Sequence, residues 1–280
     1  MKREVPTLVK WAGGKKQLLE QFKPLLPKKI TTYIEPFVGG GAIAFYIIKK
    51  YKPRKIILSD INEELVNVYN VTKENVDELI ELLNKFKKKH GPDFYKEVRA
   101  QNPEILSKIT RATRFIYLNK TCFNGIYRVN SSGKFNVPMG SYQNPGICQE
   151  KDLREVSKLL KNATILSLPF EKISKFAKRG NFIYFDPPYY PLKGKSSFTT
   201  YTKDRFLEEK HRKLFSLFKK LDERGCKLML SNSDTEFICK LYRVYNKIGS
   251  IRKVRATRMI NCNASKRGAI NELVIRNWGN

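Results

Sequence analysis

The run Phe182-Ile183-Tyr184-Phe185, followed at once by Asp186-Pro187-Pro188-Tyr189, constrains this chain more than any other stretch. Consecutive apolar and aromatic residues read as a strand buried on both faces, as in a parallel sheet covered by helices. The prolines end it. Each fixes φ and lacks an N–H, so the ladder stops and nearby carbonyls stay free to accept from a ligand. A carboxylate, a rigid turn and an aromatic ring therefore stand at the carboxyl end of a strand, where open α/β sheets bind ligands. An amine on a flat ring is the substrate that suits all three groups.

Further strand signals fall at Tyr33–Phe37, Lys55–Ser59, Ala163–Leu168 and Lys227–Ser231. Helical signals fall at Ala42–Tyr51 and Asp204–Arg224, the second with Gly225 as its stop. This alternation predicts an α/β fold built on a doubly wound, mostly parallel sheet. Leu241–Tyr245 and Glu272–Trp278 read as a terminal strand pair. The middle differs. Glu63 to about His90 has helical spacing, more helical turns follow Pro92, and 63–162 is too long for an ordinary strand connection. It reads as an inserted, mostly helical domain, dividing the chain into 1–62 with 163–280 and 63–162. Within it, Ile126–Val129 and Lys134–Val137 flank Asn130-Ser131-Ser132-Gly133, the pattern of a β-hairpin.

The 280 residues carry 55 Lys and Arg against 26 Asp and Glu, a formal charge of +29. A thermophile's surface would match lysines with glutamates in ion-pair networks, but the acids here are half as many. The excess points to a polyanion such as nucleic acid. No long apolar run or apolar leader occurs, so neither a membrane span nor a secretory signal is expected. The five cysteines are scattered with no CxxC, which favours reduced cytoplasmic thiols over disulfides or a zinc site. His90 and His211 stand too far apart to suggest a metal or catalytic site and read as surface residues.

Four further constellations carry chemistry. In Glu35-Pro36-Phe37-Val38-Gly39-Gly40-Gly41, glycines follow a strand and open a helix. Gly39-x-Gly41-x-x-Ala44 fits a nucleoside-cofactor fingerprint, with Asp60 at the end of the next strand to bind ribose hydroxyls. Lys10-Trp11-Ala12-Gly13-Gly14-Lys15-Lys16 lacks P-loop spacing; its glycines and lysines suit a small carboxylate. Asn119 to Tyr142 mixes aromatics with Asn and Arg, and a two-stranded ribbon of that kind fits the DNA major groove. Arg252 to Arg258, continued by Lys266-Arg267, would suit phosphate contacts.

Together these motifs resemble the Dam-type DNA adenine methyltransferases, including those of DpnII-like restriction–modification systems. The resemblance runs from about Thr7 to Trp278 and includes Phe135-Asn136-Val137-Pro138. It implies a Rossmann-like class I methyltransferase sheet with an inserted DNA-recognition domain. It implies S-adenosylmethionine as methyl donor, double-stranded DNA as partner, adenine N6 within GATC as target, and a cytoplasmic monomer compatible with a companion restriction endonuclease. By motif, Trp11 and Lys15 lie near the methionine end of the cofactor, Phe37, Gly39 and Gly41 line its turn, and Asp60 binds its ribose. Asp186, Pro187, Pro188 and Tyr189 form the transfer site, with Asp186 also beside the cofactor's amino end. Phe123, Asn124, Arg128 and Pro138 enter the duplex and read bases. Many relatives have tyrosine where this chain has Phe123, and some a basic residue where it has Ser141. Tyr189 would stack on an extruded adenine, with Phe198 or Tyr201 covering its other face. A cytosine-N4 methyltransferase is the nearest rival, although Ser is usual there in place of Asp186. An NAD-dependent oxidoreductase would use the glycine turn but not the Asp-Pro-Pro-Tyr motif. A non-enzymatic DNA-binding protein would explain the charge alone.

Overall fold

The computed structural model describes residues 4–192, 206–246, 250–257 and 269–279. Its centre is a seven-stranded sheet of order β3-β2-β1-β4-β5-β7-β6. The strands are β1 (Thr32–Glu35), β2 (Lys55–Asp60), β3 (Ala163–Ser167), β4 (Phe182–Phe185), β5 (Lys227–Ser233), β6 (Ile251–Thr257) and β7 (Ala269–Arg276). The first five run parallel, and β7 lies antiparallel between β5 and β6. The expected doubly wound sheet is therefore present. Its order reverses between β1 and β4, which pair directly through Tyr33 with Phe182 and Ile34 with Ile183. That reversal is the switch point at which such sheets open a ligand crevice.

Strand periodicity sorts the core into two layers. Tyr33, Ile56, Leu58, Phe182, Tyr184 and Met229 fall on one face, and Ile34, Ile57, Ile183, Phe185, Leu228 and Leu230 on the other. The first layer is covered by α2 (Ala42–Tyr51), α3 (Glu63–Glu74) and the helices that follow, the second by α8 (Glu208–Glu223). Each such apolar side chain contributes about 1.5–3 kcal/mol by leaving water. Between β2 and β3 lie α3, α4 (Val76–Lys89), α5 (Pro92–Ala100), α6 (Lys108–Thr121) and α7 (Glu150–Leu160). The helix expected from Glu63 is two helices, because Asn75 leaves the helical region at φ −133°.

The terminal strand pair differs from expectation. Leu241–Tyr245 is helical, in α9 (Glu236–Leu241) and α10 (Arg243–Asn246). Thr235 caps α9 by accepting the Ile238 N–H, and Ile238, Tyr242 and Tyr245 recur at helical spacing on the buried side. The partner of β7 is instead β6, the basic stretch, whose Val254 and Ala256 turn inward. Its outer edge is covered by Gln21, on α1 (Leu19–Phe22). The carboxamide donates to Arg255 O and accepts from Arg255 N, each at 2.9 Å, in place of a further strand. The expected hairpin is reduced to isolated bridges, Val129 with Phe135 and Cys122 with Met139, around a turn closed by Asn130.

Candidate active site at the switch point

The carboxyl ends of β1, β2 and β4 meet the segment 10–15 at the switch point. β1 stops at Glu35, because Pro36 has no N–H to continue the ladder. The turn beyond it takes Gly39 to φ +46° and Gly41 to φ +73°, the left-handed region that glycine enters without strain. Packing needs these glycines as well: a Cβ at Gly39 would lie 2.8 Å from the Trp11 ring, and one at Gly41 2.4 Å from the Tyr69 hydroxyl. Asp60 braces the turn from β2. One carboxyl oxygen accepts the Gly39 N–H at 3.1 Å and the other the Asn62 N–H at 3.0 Å. Burial raises its pKa, opposed by those amides. Phe37 stacks on Phe170 at 5.5 Å and meets Phe206 edge-on at 5.8 Å.

Asp186 follows β4, and its side chain is 19% exposed. Lys15 Nζ approaches Asp186 Oδ1 to 2.9 Å, donates to Gly13 O at 2.6 Å and stands 4.7 Å above the Tyr189 ring. Lys15 is the cation paired with this buried oxygen, and a carboxylate oxygen has two lone pairs, so one acceptor position remains for a ligand. Burial pushes the Asp186 pKa up to about 6 against the pull of Lys15, with Glu272 adding to the rise. Pro187 is buried and Pro188 half-buried. The Tyr189 hydroxyl donates to Glu272 Oε2 at 2.6 Å. Below the turn, Glu35 is buried, accepts from the Tyr33 hydroxyl at 2.6 Å, and is held well above the usual carboxylate range chiefly by burial.

Beyond the motif, β5 fixes the chain again. Asn232 Oδ1 accepts the Tyr190 N–H at 3.1 Å, and the Ser233 hydroxyl donates to Tyr190 O at 2.7 Å. His211 lies beside Asn232, 1% exposed, and burial pushes its pKa down to about 4. The surface placement expected of His211 is thus overturned: Phe206, Tyr190 and Phe237 enclose its ring. His90 is half-buried, with Nδ1 2.9 Å from the Tyr117 hydroxyl.

The segment from Phe123 onward sits apart from this crevice but is tied to it. Phe123, Asn124, Arg128 and Pro138 are exposed, and the Phe123 N–H donates to Pro138 O at 2.9 Å. Asn124 is left-handed at φ +55°. Arg128 Nε donates to Asn136 Oδ1 at 2.8 Å. The buried Asn119 carboxamide accepts from Lys10 N at 2.7 Å and donates to Lys10 O at 2.8 Å and Gly125 O at 3.0 Å. One stretch of chain therefore touches the exposed turn through Lys10, the glycine turn through Trp11 and Asp186 through Lys15. Phe198, Tyr201, Arg258, Lys266 and Arg267 lie outside the described residues.

Glu272, Asn232 and Ser233 went unnoticed in the sequence. A signal existed for each: Ser231-Asn232-Ser233 ends a strand at the same edge as Asp186, and an acid entering the apolar run Leu273-Val274-Ile275 must find a partner. As a donor set the crevice fits a cationic amino acid joined to a nucleoside. It offers a buried carboxylate with an open acceptor, a second carboxylate two strand spacings away (about 10 Å), an aromatic wall and a glycine turn.

Comparison with known proteins agrees with this geometry. The model of the D12 class N6 adenine-specific DNA methyltransferases matches residues 11–260. The chain is 48% identical to the type II methyltransferase M.MjaIII of Methanocaldococcus jannaschii, over 98% of this chain and 100% of that one. It is 40% identical to the type II methyltransferase M1.LlaDCHI of Lactococcus lactis, over 97% and 95%. Against the DNA adenine methylase of Escherichia coli K12 the identity is 31%, over 95% and 93%.

Proposed function

The chain belongs to the D12 class N6 adenine-specific DNA methyltransferases, and on that premise we propose that it extrudes an adenine from duplex DNA, within GATC, and methylates it in the Asp186 pocket. As a class I enzyme of this family it uses S-adenosylmethionine, whose sulfonium supplies an electrophilic methyl group. The residues that suit the cofactor are Asp60 for its ribose, Phe37 with the Gly39–Gly41 turn for its nucleoside, and Trp11, Lys15 and Asp186 for its amino-acid end.

The observation that carries the reading is Asp186 itself, whose buried Oδ1 pairs with Lys15 at 2.9 Å and has a second lone pair for a substrate N–H. An adenine amine is a poor nucleophile because its lone pair delocalises into the ring. Asp186, ionised above about pH 6, accepts one N–H and the Pro187 carbonyl accepts the other. The nitrogen then becomes tetrahedral and its lone pair is freed for in-line attack. As the new N–C bond forms, the methyl's bond to sulfur would break and leave a neutral thioether, while the amine sheds a proton for which Asp186 is the acceptor at hand. Tyr189 offers its ring to one face of the base, and the second face falls to Phe198 or Tyr201. Inside a stacked duplex the amine is out of reach, so the base must leave the stack. Positioning and electrostatics supply the acceleration, with no covalent enzyme intermediate.

Phe123, Asn124, Arg128 and Pro138 form the face that enters the duplex, Arg128 pairing with guanine once it releases Asn136. Segment 63–162 is the recognition domain in this reading, and 1–62 with 163–280 the transfer domain. The protein acts as a monomer, one strand at a time, and serves a restriction–modification pair, as the type II names of two relatives suggest. The test is to treat duplexes carrying GATC, and each single-base change of it, with the protein and cofactor. Digestion by endonucleases blocked or activated by adenine methylation then reports the site. Protection confined to GATC supports the reading, and equal protection of the altered sites refutes its specificity.

A further inference from the structure

Glu272 is an acid in the middle of an apolar strand. It is 8% exposed on β7, opposite Ser233 of β5 and followed by the fully buried Val274 and Ile275. Placing a carboxylate there costs several kcal/mol unless it is hydrogen-bonded. Its partner is the Tyr189 hydroxyl at 2.6 Å, a short, charge-assisted bond. Tyr189 is the last residue of the Asp186-Pro187-Pro188-Tyr189 motif, and its ring also faces Lys15 at 4.7 Å. Lys15 in turn pairs with Asp186 at 2.9 Å. The groups form a closed set drawn from three separate parts of the chain: the N-terminal segment, the turn after β4, and β7.

We propose that Glu272 is a positioning residue of the transfer pocket: from β7 it grips the Tyr189 hydroxyl, so that the ring stays in the plane needed to receive the base, and it sets a second carboxylate behind Asp186. Two consequences follow from the geometry. A tyrosine ring pinned at its hydroxyl end as well as at its backbone has no rotamer freedom left to lose when a base stacks on it. A second negative charge near Asp186 also opposes ionisation of that group, and Lys15 favours it. The other titratable groups that sense Asp186 are Glu35 and Tyr33 from β1, Tyr184 from β4, and Tyr189 itself. Glu272 and Lys15 thus set the charge on Asp186 in opposite senses.

This inference rests on the transfer role of Asp186 and is tested apart from it. The pH dependence of single-turnover methylation is measured for the parent, Glu272→Gln, Glu272→Leu, Tyr189→Phe, the Glu272→Leu/Tyr189→Phe pair, Lys15→Gln and Asp186→Ala, on duplex DNA with saturating cofactor. Glu272→Gln keeps an acceptor and loses the charge. Its rate at pH 8 should stay within about threefold of the parent, while its acid limb moves to lower pH; Lys15→Gln should move that limb to higher pH. Glu272→Leu should lower the rate about tenfold or more with little change in DNA affinity. Adding Tyr189→Phe to it should cost little more, because the two residues act as one unit. An acid limb of Glu272→Gln that coincides with the parent's, or losses from Glu272→Leu and Tyr189→Phe that simply add, would overturn the proposal. Should Glu272→Leu fail to fold, the Glu272→Gln limb decides alone. If Asp186→Ala is inactive while that limb stays unmoved, only the role of Glu272 falls. If Asp186→Ala retains transfer, the reading of the pocket falls with it.

Discussion

At the scale of single residues, the proposed chemistry concentrates on Asp186. Its carboxylate is desolvated, which raises its pKa to about 6, and its inner oxygen keeps an acceptor position open. The proposed transfer needs the ionised form, so activity should rise with pH through about 6 and level off above it. A profile flat across that range would remove Asp186 as the ionising group. Asp186→Ala should lower transfer at least about a hundredfold, and circular dichroism should show an intact fold. In the proposed reading Arg128 is the complementary case, on the side that reads bases. Exposed, with its 2.8 Å bond to Asn136 open to solvent, it contributes little to stability. Arg128→Ala should instead cost about 1–3 kcal/mol of discrimination at one base pair, read from kcat/KM on single-base variants of the site.

The elements explain why these residues meet. β4 places Asp186, and its four residues are buried on alternating faces, which a continuous apolar run followed by two prolines already announces. The helix Ala42–Tyr51 and its left-handed glycine start were equally plain in the sequence, as was Gly225 closing α8 at φ +80°. What stayed hidden depended on tertiary partners. Leu241–Tyr245 is a short apolar run that fits strand or helix alike, and only packing of Tyr242 and Tyr245 on Phe218 decides for helix. His211 looked like a lone polar residue. It lies on the buried side of α8 with its Nδ1 3.4 Å from Asn232. That burial has a measurable consequence. The folded protein disfavours the imidazolium, so the unfolded chain binds the extra proton between about pH 6.5 and 4. Stability from this group is complete above pH 6.5 and is lost as pH falls towards 4, by up to about 3 kcal/mol. His211→Gln should flatten that part of the denaturation profile. An unchanged slope would show that other groups account for it. Gly39→Ala places a methyl group against Trp11 at positive φ, so it should weaken cofactor binding and lower the melting temperature together.

For the whole molecule, charge and topology divide the work. The +29 formal charge exceeds what the carboxylates of the chain offset and fits a polyanionic partner. Affinity for duplex DNA should therefore fall steeply between 50 and 200 mM salt, about 0.9 in log–log slope per phosphate contact. A slope near zero would leave the charge unexplained. Among the described residues no helix is long and apolar enough to cross a membrane. Polyanion binding and the α/β architecture were legible from composition and alternation. The linkage that joins them was not. Asn119 binds Lys10 and Gly125 across a sequence separation of 109 residues on one side, and Glu272 reaches Tyr189 across 83. Local pattern can flag that Glu272 needs a partner, but it does not say which residue so far along the chain supplies it until the sheet brings the two together. The most direct test is transfer of labelled methyl from S-adenosylmethionine to duplex DNA by the parent and by Asp186→Ala, with the modified nucleoside identified after digestion. Label recovered as N6-methyladenine with the parent, and none with Asp186→Ala even at cofactor concentrations that saturate the variant, is the expected result. Label on cytosine, or undiminished turnover by Asp186→Ala, would contradict it.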